Sequence, residues 1–465
     1  MVAPSSIEGP SVEFWRSLRR LWRHQRFRKI MAVRVTTQAA DGTLQVGMAS
    51  YVLFSPEQQP NALAIAAVLA ITLLPFSIIG PFVSVVLDRW SRQRVLAITD
   101  AVRGLIALII AVLVWSGNRS PAVTLTLMIL LLIAMSLNRF LMAALTAGLP
   151  YTIDRGEFLT ASSIMPMVGP AGVLIGGGIT FGLRLGLTPR FMPAHHADAL
   201  VFVCAVLLFI VSVILAMRFH KHELGPDPEA AHRVVSPREV LADLWHGARH
   251  LSQRQPAFLG VTLIGLQRLA FGLMSVGMIL GYRNSFHNVS DANAAMADIG
   301  AWGAATGVGF VLSAVLAPAV GHAIGVRKAI FWLMIASGVA QIVPGSVFER
   351  LPLLAAGFLL GLFAQSTKVC IDTVVQAHVD DGFKGRVFTI YDMVFNAALV
   401  AAALLGVWIL PAEGFDVIVF AGMGVFYLLV ALFFWWRSMP EGDEGFNRGT
   451  YILAPAEGVD DHART

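Results

Sequence analysis

Twelve runs of about 20 apolar residues divide this chain, and a helix of that length, at about 1.5 Å per residue, crosses the hydrocarbon core of a bilayer. They fall at about 30–54, 63–87, 95–116, 121–147, 161–183, 198–217, 257–281, 296–320, 329–347, 351–375, 388–410 and 415–436. Composition agrees: 56% of the residues are hydrophobic and 14% charged, against about 25% charged in a soluble domain. So few charges could not clothe a soluble globule of this mass. In lipid each peptide group has to be bonded within its own helix, so the fold expected is an all-α integral membrane protein with twelve transmembrane helices. Cys204 and Cys370 lie inside apolar runs, which excludes a disulfide scaffold and a cysteine-rich metal site. The first 30 residues carry seven basic side chains and no apolar core ending in a cleavage site, so no removable signal peptide is expected.

The net charge of +5 carries less meaning than where the charges stand, and nucleic acid is not an expected partner. One set of alternate connections holds five basic residues, Arg119, Arg184, Arg190, Arg283 and Arg350; the tails and the opposite connections hold 24. Lysine and arginine accumulate on the cytoplasmic side, so both termini and the middle connection are placed there, in a plasma or inner membrane. Five basic residues remain inside the runs: Arg34, Arg103, Arg139, Arg268 and Lys368.

The long connection at 218–256 cuts the chain into bundles at 30–217 and 257–436, flanked by tails at 1–29 and 437–465. Inside it, Ser236 and Glu239 form a capping-box pattern around Pro237, and Leu241, Leu244, Trp245, Ala248 and Leu251 recur at helical spacing. Val12–Trp22 likewise sets Phe14, Trp15, Leu18, Leu21 and Trp22 against Arg16, Arg19 and Arg20. Both read as helices lying along the membrane face. The acidic, glycine-containing C-terminal tail is expected to be disordered. The halves repeat weakly: PFVSVVLDRWSRQRVL from Pro81 parallels PAVGHAIGVRKAIFW from Pro318, and Arg139 stands in the fourth run where Lys368 stands in the tenth. Repeated halves are a common build of secondary transporters.

Between the second and third runs stands Ser84-Val85-Val86-Leu87-Asp88-Arg89-Trp90-Ser91-Arg92-Gln93-Arg94. It resembles the Gly-x-Leu-x-Asp-Arg-x-Gly-Arg signature of the major facilitator superfamily, with serines at both glycine places. Asn138-Arg139-Phe140 resembles that family's arginine motif in helix 4, and the run from Gly385 resembles the loop into helix 11 of its drug-exporting branch, grouped with macrolide and siderophore exporters. The resemblance implies two pseudo-symmetric six-helix bundles and a cytoplasmic gate at Asp88, Arg89, Arg92 and Arg94, with Asp392 joining it from the eleventh run.

The polar residues inside the runs are the candidate transport machinery. Arg34, Gln38, Asp41 and Gln45 share one stripe of the first helix. A charge at the bilayer centre costs at least ~2.5 kcal/mol, so such a stripe faces protein or water rather than lipid. Asp41, at mid-depth, is the residue expected to carry protons; the alternative is a buried structural ion pair. Arg103, Arg139 and Arg268 are its candidate partners, and Arg268, beside Gln267, could instead attract an anionic cargo. Asp100 and Arg103, one turn apart, read as a local structural pair. Gln365, Lys368, Asp372 and Gln376 form a second stripe, with Lys368 and Asp372 paired four apart and joined to the coupling set; Gln38, Gln45, Gln267 and Gln365 are assigned to the cavity. The histidines at 195, 196 and 287 have no carboxylate spacing that makes a metal site, and the glycines of the fifth and eighth runs read as close helix packing.

No glycine-rich phosphate loop is present, so ATP is not expected to drive the protein, and no enzyme chemistry or cofactor is expected. The expected function is a proton-coupled antiporter exporting hydrophobic or amphipathic small molecules, working as a monomer with cargo, protons and the bilayer as its partners. The alternatives are a narrow exporter of an endogenous metabolite, siderophore or lipid, and a non-transporting membrane sensor. The topology is checked by reporter fusions: those after residues 119, 190 and 350 should report the outside, and those after 94, 240 and 445 the cytoplasm. Reversal of either half overturns the scheme.

Overall fold

The structure is a computed structural model that describes residues 19–53, 62–78, 90–154, 158–187, 191–221, 223–225, 237–288, 291–343 and 345–450. Among these residues a helix stands at each of the twelve expected positions. They are α1 Gln25–Leu53, α2 Ala62–Ile78, α3 Arg92–Trp115, α4 Pro121–Gly148, α5 Phe158–Leu187 and α6 Ala194–Met217. After α7, Pro237–Gln253, come α8 Gln255–Asn284, α9 Ala292–Ile324, α10 Val326–Ile342, α11 Arg350–His378, α12 Lys384–Ile409, α13 Val417–Ser438 and the short α14, Gly442–Asn447.

Among the described residues, eight of these helices are long and apolar enough to cross a membrane: α3, α4, α6, α8, α9, α11, α12 and α13. The other four fall short for visible reasons. The described parts of α2 and α10 have 17 residues each, the apolar stretch of α5 is Ala171–Leu187, and α1 carries its polar stripe through the middle. The outward sides of the long helices are apolar, with Val315 72% and Val112 63% exposed, a surface suited to lipid tails and costly in water.

The chain divides into two compact units, Met1–Ser55 with Ile78–Val240, and Pro56–Ser77 with Leu241–Thr465, so α2 up to its last residue groups with the second. The units repeat one packing scheme. In the first, α1 packs on α5 and α3 on α6; in the second, α8 packs on α12 and α10 on α13, while α9 packs on α11. Glycines allow the tightest of these contacts. A Cβ on Gly42 would stand 2.4 Å from the Val173 carbonyl oxygen and one on Gly176 2.0 Å from that of Ala39, so the α1 and α5 backbones touch. Gly309 and Gly361 do the same for α9 and α11. Gly178 and Gly303 have open space there, so the packing reading holds for part of each glycine cluster.

Helix α7 forms where its spacing predicts; Ser236 of its capping box lies outside the described residues, as do residues 12–18 of the N-terminal segment. Its contacts are with the start of α12 and the loop before it: Asp243 pairs with Arg386 of α12 at 2.8 Å, the His250 ring stacks on Phe383, and Arg254, next after the helix, pairs with Asp380 at 2.9 Å. Trp245 and Leu241 remain exposed along its other side.

The expectation of a disordered C-terminal tail fails for its first part, because α14 is built into the second unit. Phe446 is buried edge-on against Phe434. Asn447 Oδ1 accepts the Val326 backbone N–H at 2.9 Å, satisfying an otherwise orphan donor at the start of α10, next to Gly325, whose φ of 82° suits glycine. The Asp443 carboxylate takes Lys328 at 2.8 Å and Arg327 at 2.8 Å, and Arg327 also donates to Ser438 and lies over Trp435. The two ring nitrogens of His378 face the Val374 and Gly445 carbonyl oxygens at 2.8 and 2.7 Å. The acidic tail residues read from composition as solvated thus cap and neutralise the loop between α9 and α10.

Lys328 and Arg327 hold the Asp443 carboxyl below its usual range. A depressed folded value means that this contribution to α14 docking is full above the ordinary aspartate range, near ~3.9, and is lost as pH falls through it. Hydrogen exchange over 442–447 should therefore accelerate on acidification, and Asp443→Asn should produce that acceleration at neutral pH. Equal protection in mutant and wild type would show that the carboxylate does not hold the helix.

Candidate functional site

The polar stripe of α1 meets α3 and α6 in the first unit. Asp41 is 1% exposed and Arg103 0%, and they form an ion pair. The guanidinium of Arg103 also reaches Asp100 Oδ1 at 3.0 Å and lies over the Phe209 ring with 4.6 Å to its centroid. Asp100, equally buried, accepts from Thr37 Oγ1 at 3.1 Å and from Ser212 Oγ at 2.6 Å. Among the candidate partners of Asp41 it is therefore Arg103 that meets it. The local pair read at Asp100 and Arg103 is present, and it is one side of a three-residue cluster. Arg139 is near enough to act on Arg103 through its charge, and its neighbour Asn138 is buried. Arg268 belongs to the other unit.

The two carboxylates of this cluster are not equivalent. Asp100 receives two hydroxyl donors and an arginine N–H. Asp41 has the ion pair to Arg103, and neither of its oxygens takes a hydrogen bond among the described residues. With Arg139 near enough to act on Arg103, two basic residues stand about these two buried carboxylates.

Other members of the α1 stripe point elsewhere. Gln38 packs against α5, where a Cβ on Gly172 would meet its Cβ at 2.6 Å, and Gln45 is half-buried. A further buried pair was not legible from the sequence. Arg184, counted there as a loop residue, lies within α5 and pairs with Asp198 of α6 at 2.7 Å, and Ser50 donates to the same carboxylate. Continuation of α5 past the apolar run hid it.

In the second unit Gln267 is buried, and its amide donates to the Ala364 carbonyl oxygen at 3.0 Å, fixing α8 against α11. Next to it, Arg268 is 3% exposed and donates to Gln365 Oε1 at 3.3 Å, with its guanidinium 4.5 Å from the Phe395 ring centroid. Lys368 and Asp372 form the expected pair at 2.6 Å and are about a quarter exposed. Lys368 also lies over Tyr391 and Phe395, aromatic residues of α12 that the sequence reading did not single out. Asp392 is exposed; its backbone carbonyl accepts from Asn396. In the gate motif Asp88 and Arg89 lie outside the described residues. Arg92 donates to the Ala147 and Leu224 carbonyl oxygens at 2.9 and 2.8 Å, and Arg94 is exposed. No group of three or more metal-ligating side chains occurs among the described residues.

Residues 265–451 match the sequence model described as Major Facilitator Superfamily. An uncharacterized MFS-type transporter of Mycobacterium tuberculosis is 29% identical over 408 residues, covering 87% of this chain and 88% of the relative, and its counterpart in Mycobacterium bovis gives the same figures. Among solved structures, nucleoside transporter NupG is similar with a TM-score of 0.64 at 11% identity, covering 88% of this chain and 98% of that one. A mutant form of the peptide transporter POT gives a TM-score of 0.63 at 13% identity, over 89% and 94%. At such identities the likeness is one of fold. By these findings the chain is similar to transporters of the major facilitator superfamily, whose members are carriers and not enzymes, and none of these relatives is described as a drug or siderophore exporter.

Removing Arg103 should be far more damaging than removing Asp41. Arg103→Gln leaves two buried carboxylates without their cation, a loss of about 3–5 kcal/mol. Asp41→Asn keeps the Arg103–Asp100 pair. Melting of the detergent-purified variants should show a large drop for the first and a small one for the second. Equal drops would mean that Asp100 is not the standing partner of Arg103.

Proposed function

We propose that this protein is a proton-coupled secondary carrier that exports an endogenous metabolite with narrow specificity, spanning the membrane twelve times with both termini in the cytoplasm. The observation that carries the coupling is the unequal pairing of Asp41 and Asp100 around Arg103. Protonation of Asp41 removes a negative charge from beside Arg103, which is then held by Asp100 alone. The two protonation states thus favour different arrangements of α1 against α3 and α6, and an antiporter needs such a link between proton occupancy and conformation. A non-transporting sensor has no need of an acid kept dry and singly paired.

Narrow specificity is supported by the polar groups of the second unit. Gln267, Arg268 and Gln365 are held by hydrogen bonds between α8 and α11, and a site with fixed hydrogen-bonding groups discriminates more strongly than an apolar one. The mainly apolar lining expected of a multidrug exporter has no need of that arrangement. The gate role of Asp88 and its arginines remains part of the proposal.

Two measurements test this reading. Ordinary carboxylates, with values near ~4, are ionised above about pH 5. The pH-dependent protonated-carboxyl infrared signal above that range should lose one component in Asp41→Asn, read as a wild-type-minus-mutant difference band, and absence of a difference band overturns the proton-carrier role. For transport, comparison of metabolites retained or secreted by deletion and overexpression strains supplies the cargo. In liposomes Asp41→Asn should then lose pH-driven accumulation of that cargo while keeping exchange. Persistence of pH-driven accumulation in the mutant overturns the coupling role.

A further inference from the structure

The second unit contains a buried cation, Arg268, with no carboxylate bonded to it among the described residues. Arg268 makes no ion pair with a carboxylate among the described residues, its one polar side-chain partner is the neutral amide of Gln365, and its Nε has no hydrogen bond there. Asp372 is near enough to act on it through space, but that carboxylate is bonded to Lys368 at 2.6 Å. Arg268, Lys368 and Asp372 are thus two cations about one acid. Leaving a guanidinium dry and unpaired is expensive, and a protein keeps such a group when a partner arrives from outside.

The surroundings specify that partner. Arg268 and Lys368 share one aromatic ring, Phe395, at 4.5 and 5.9 Å from its centroid, so the excess charge lies against a flat apolar surface. The guanidinium is a planar fork that matches a carboxylate or phosphate oxygen pair. Lys368 and Asp372 are about a quarter exposed where Arg268 is nearly sealed, so the cluster opens on their side. Gln267 has its amide committed to the Ala364 carbonyl and holds α8 in register, which keeps Arg268 beside Gln365.

The geometry points to an anion subsite, in which Arg268, with Gln365 and Lys368 beside it, receives the single negative group of an organic monoanion whose flat apolar body lies along Phe395. The inference names the cargo class and rests on the carrier reading. Binding of the anion supplies Arg268 with the acid it lacks among the described residues, an event chemically independent of protonation at Asp41.

The test is ligand-induced stabilisation of the full chain purified in detergent, where no gradient exists. Benzoate and phenyl phosphate are the anionic probes; benzamide and benzylammonium have the same ring without the negative charge. At least one anion should raise the melting temperature with a saturating dose response, and the choice between them tells a carboxylate site from a phosphate site. The uncharged and cationic probes should give no saturable shift. Arg268→Gln should abolish the response, and Arg268→Lys, which keeps the charge but loses the fork, should weaken apparent affinity about tenfold. Should the glutamine variant fail to fold, the lysine variant decides. Asp41→Asn should respond like the wild type, so failure of proton coupling and failure of the anion subsite give different results. Absence of a saturable anion response in the wild type, a response of equal size to benzamide, or unchanged affinity in the Arg268 variants overturns the inference.

Discussion

A guanidinium taken out of water has to be answered by an acid, and much of the first unit is arranged around that requirement. Arg103 draws α1, α3 and α6 together through Asp41, Asp100, Thr37 and Ser212. Each partner comes from a helix that the rest of the packing has already brought close, since α1 lies on α6 and α3 on α6. The hydroxyl donors go to Asp100, and Asp41 has the ion pair alone. The second unit, built on a related helix pairing, buries Arg268 against a neutral amide and an aromatic ring. One scheme of packing therefore holds an arginine bonded to acids in one copy and an arginine bonded to an amide in the other.

The positions of the helices were legible because hydropathy and length act directly on a chain in lipid. All twelve runs coincide with helices, and the differences are at their ends: α1 begins at Gln25 and α9 at Ala292, ahead of their apolar runs. A helix continues as long as its backbone bonds are favourable, and the run marks only the part that needs lipid or core. The same effect hid Arg184, which an apolar run ending near residue 183 leaves outside the helix.

The site was legible in part. Spacing on α1 singled out Asp41 by depth and face, but it gives no rotation of α1 against its neighbours, so Arg103 could not be chosen over Arg139 or Arg268. The pair Lys368–Asp372 was readable because both residues lie on one helix. Phe395 and Tyr391 were not, because an aromatic residue in an apolar run has no signature until a cation is found above it. The tail failed for a related reason: Asp443 and Asn447 look like solvated chain until Lys328, Arg327 and the free Val326 amide are brought to them by the fold.

The glycine contact between α1 and α5 has a mechanical consequence. Where Gly42 and Gly176 let the two backbones touch, no side chains remain between them to act as a cushion, so the pair bends and tilts as one stiff beam. In the coupling proposed above, a change of charge at Asp41 is therefore not absorbed by a private adjustment of α1. It is passed to α3 and α6, where Arg103, Asp100 and Ser212 bring side chains to that beam.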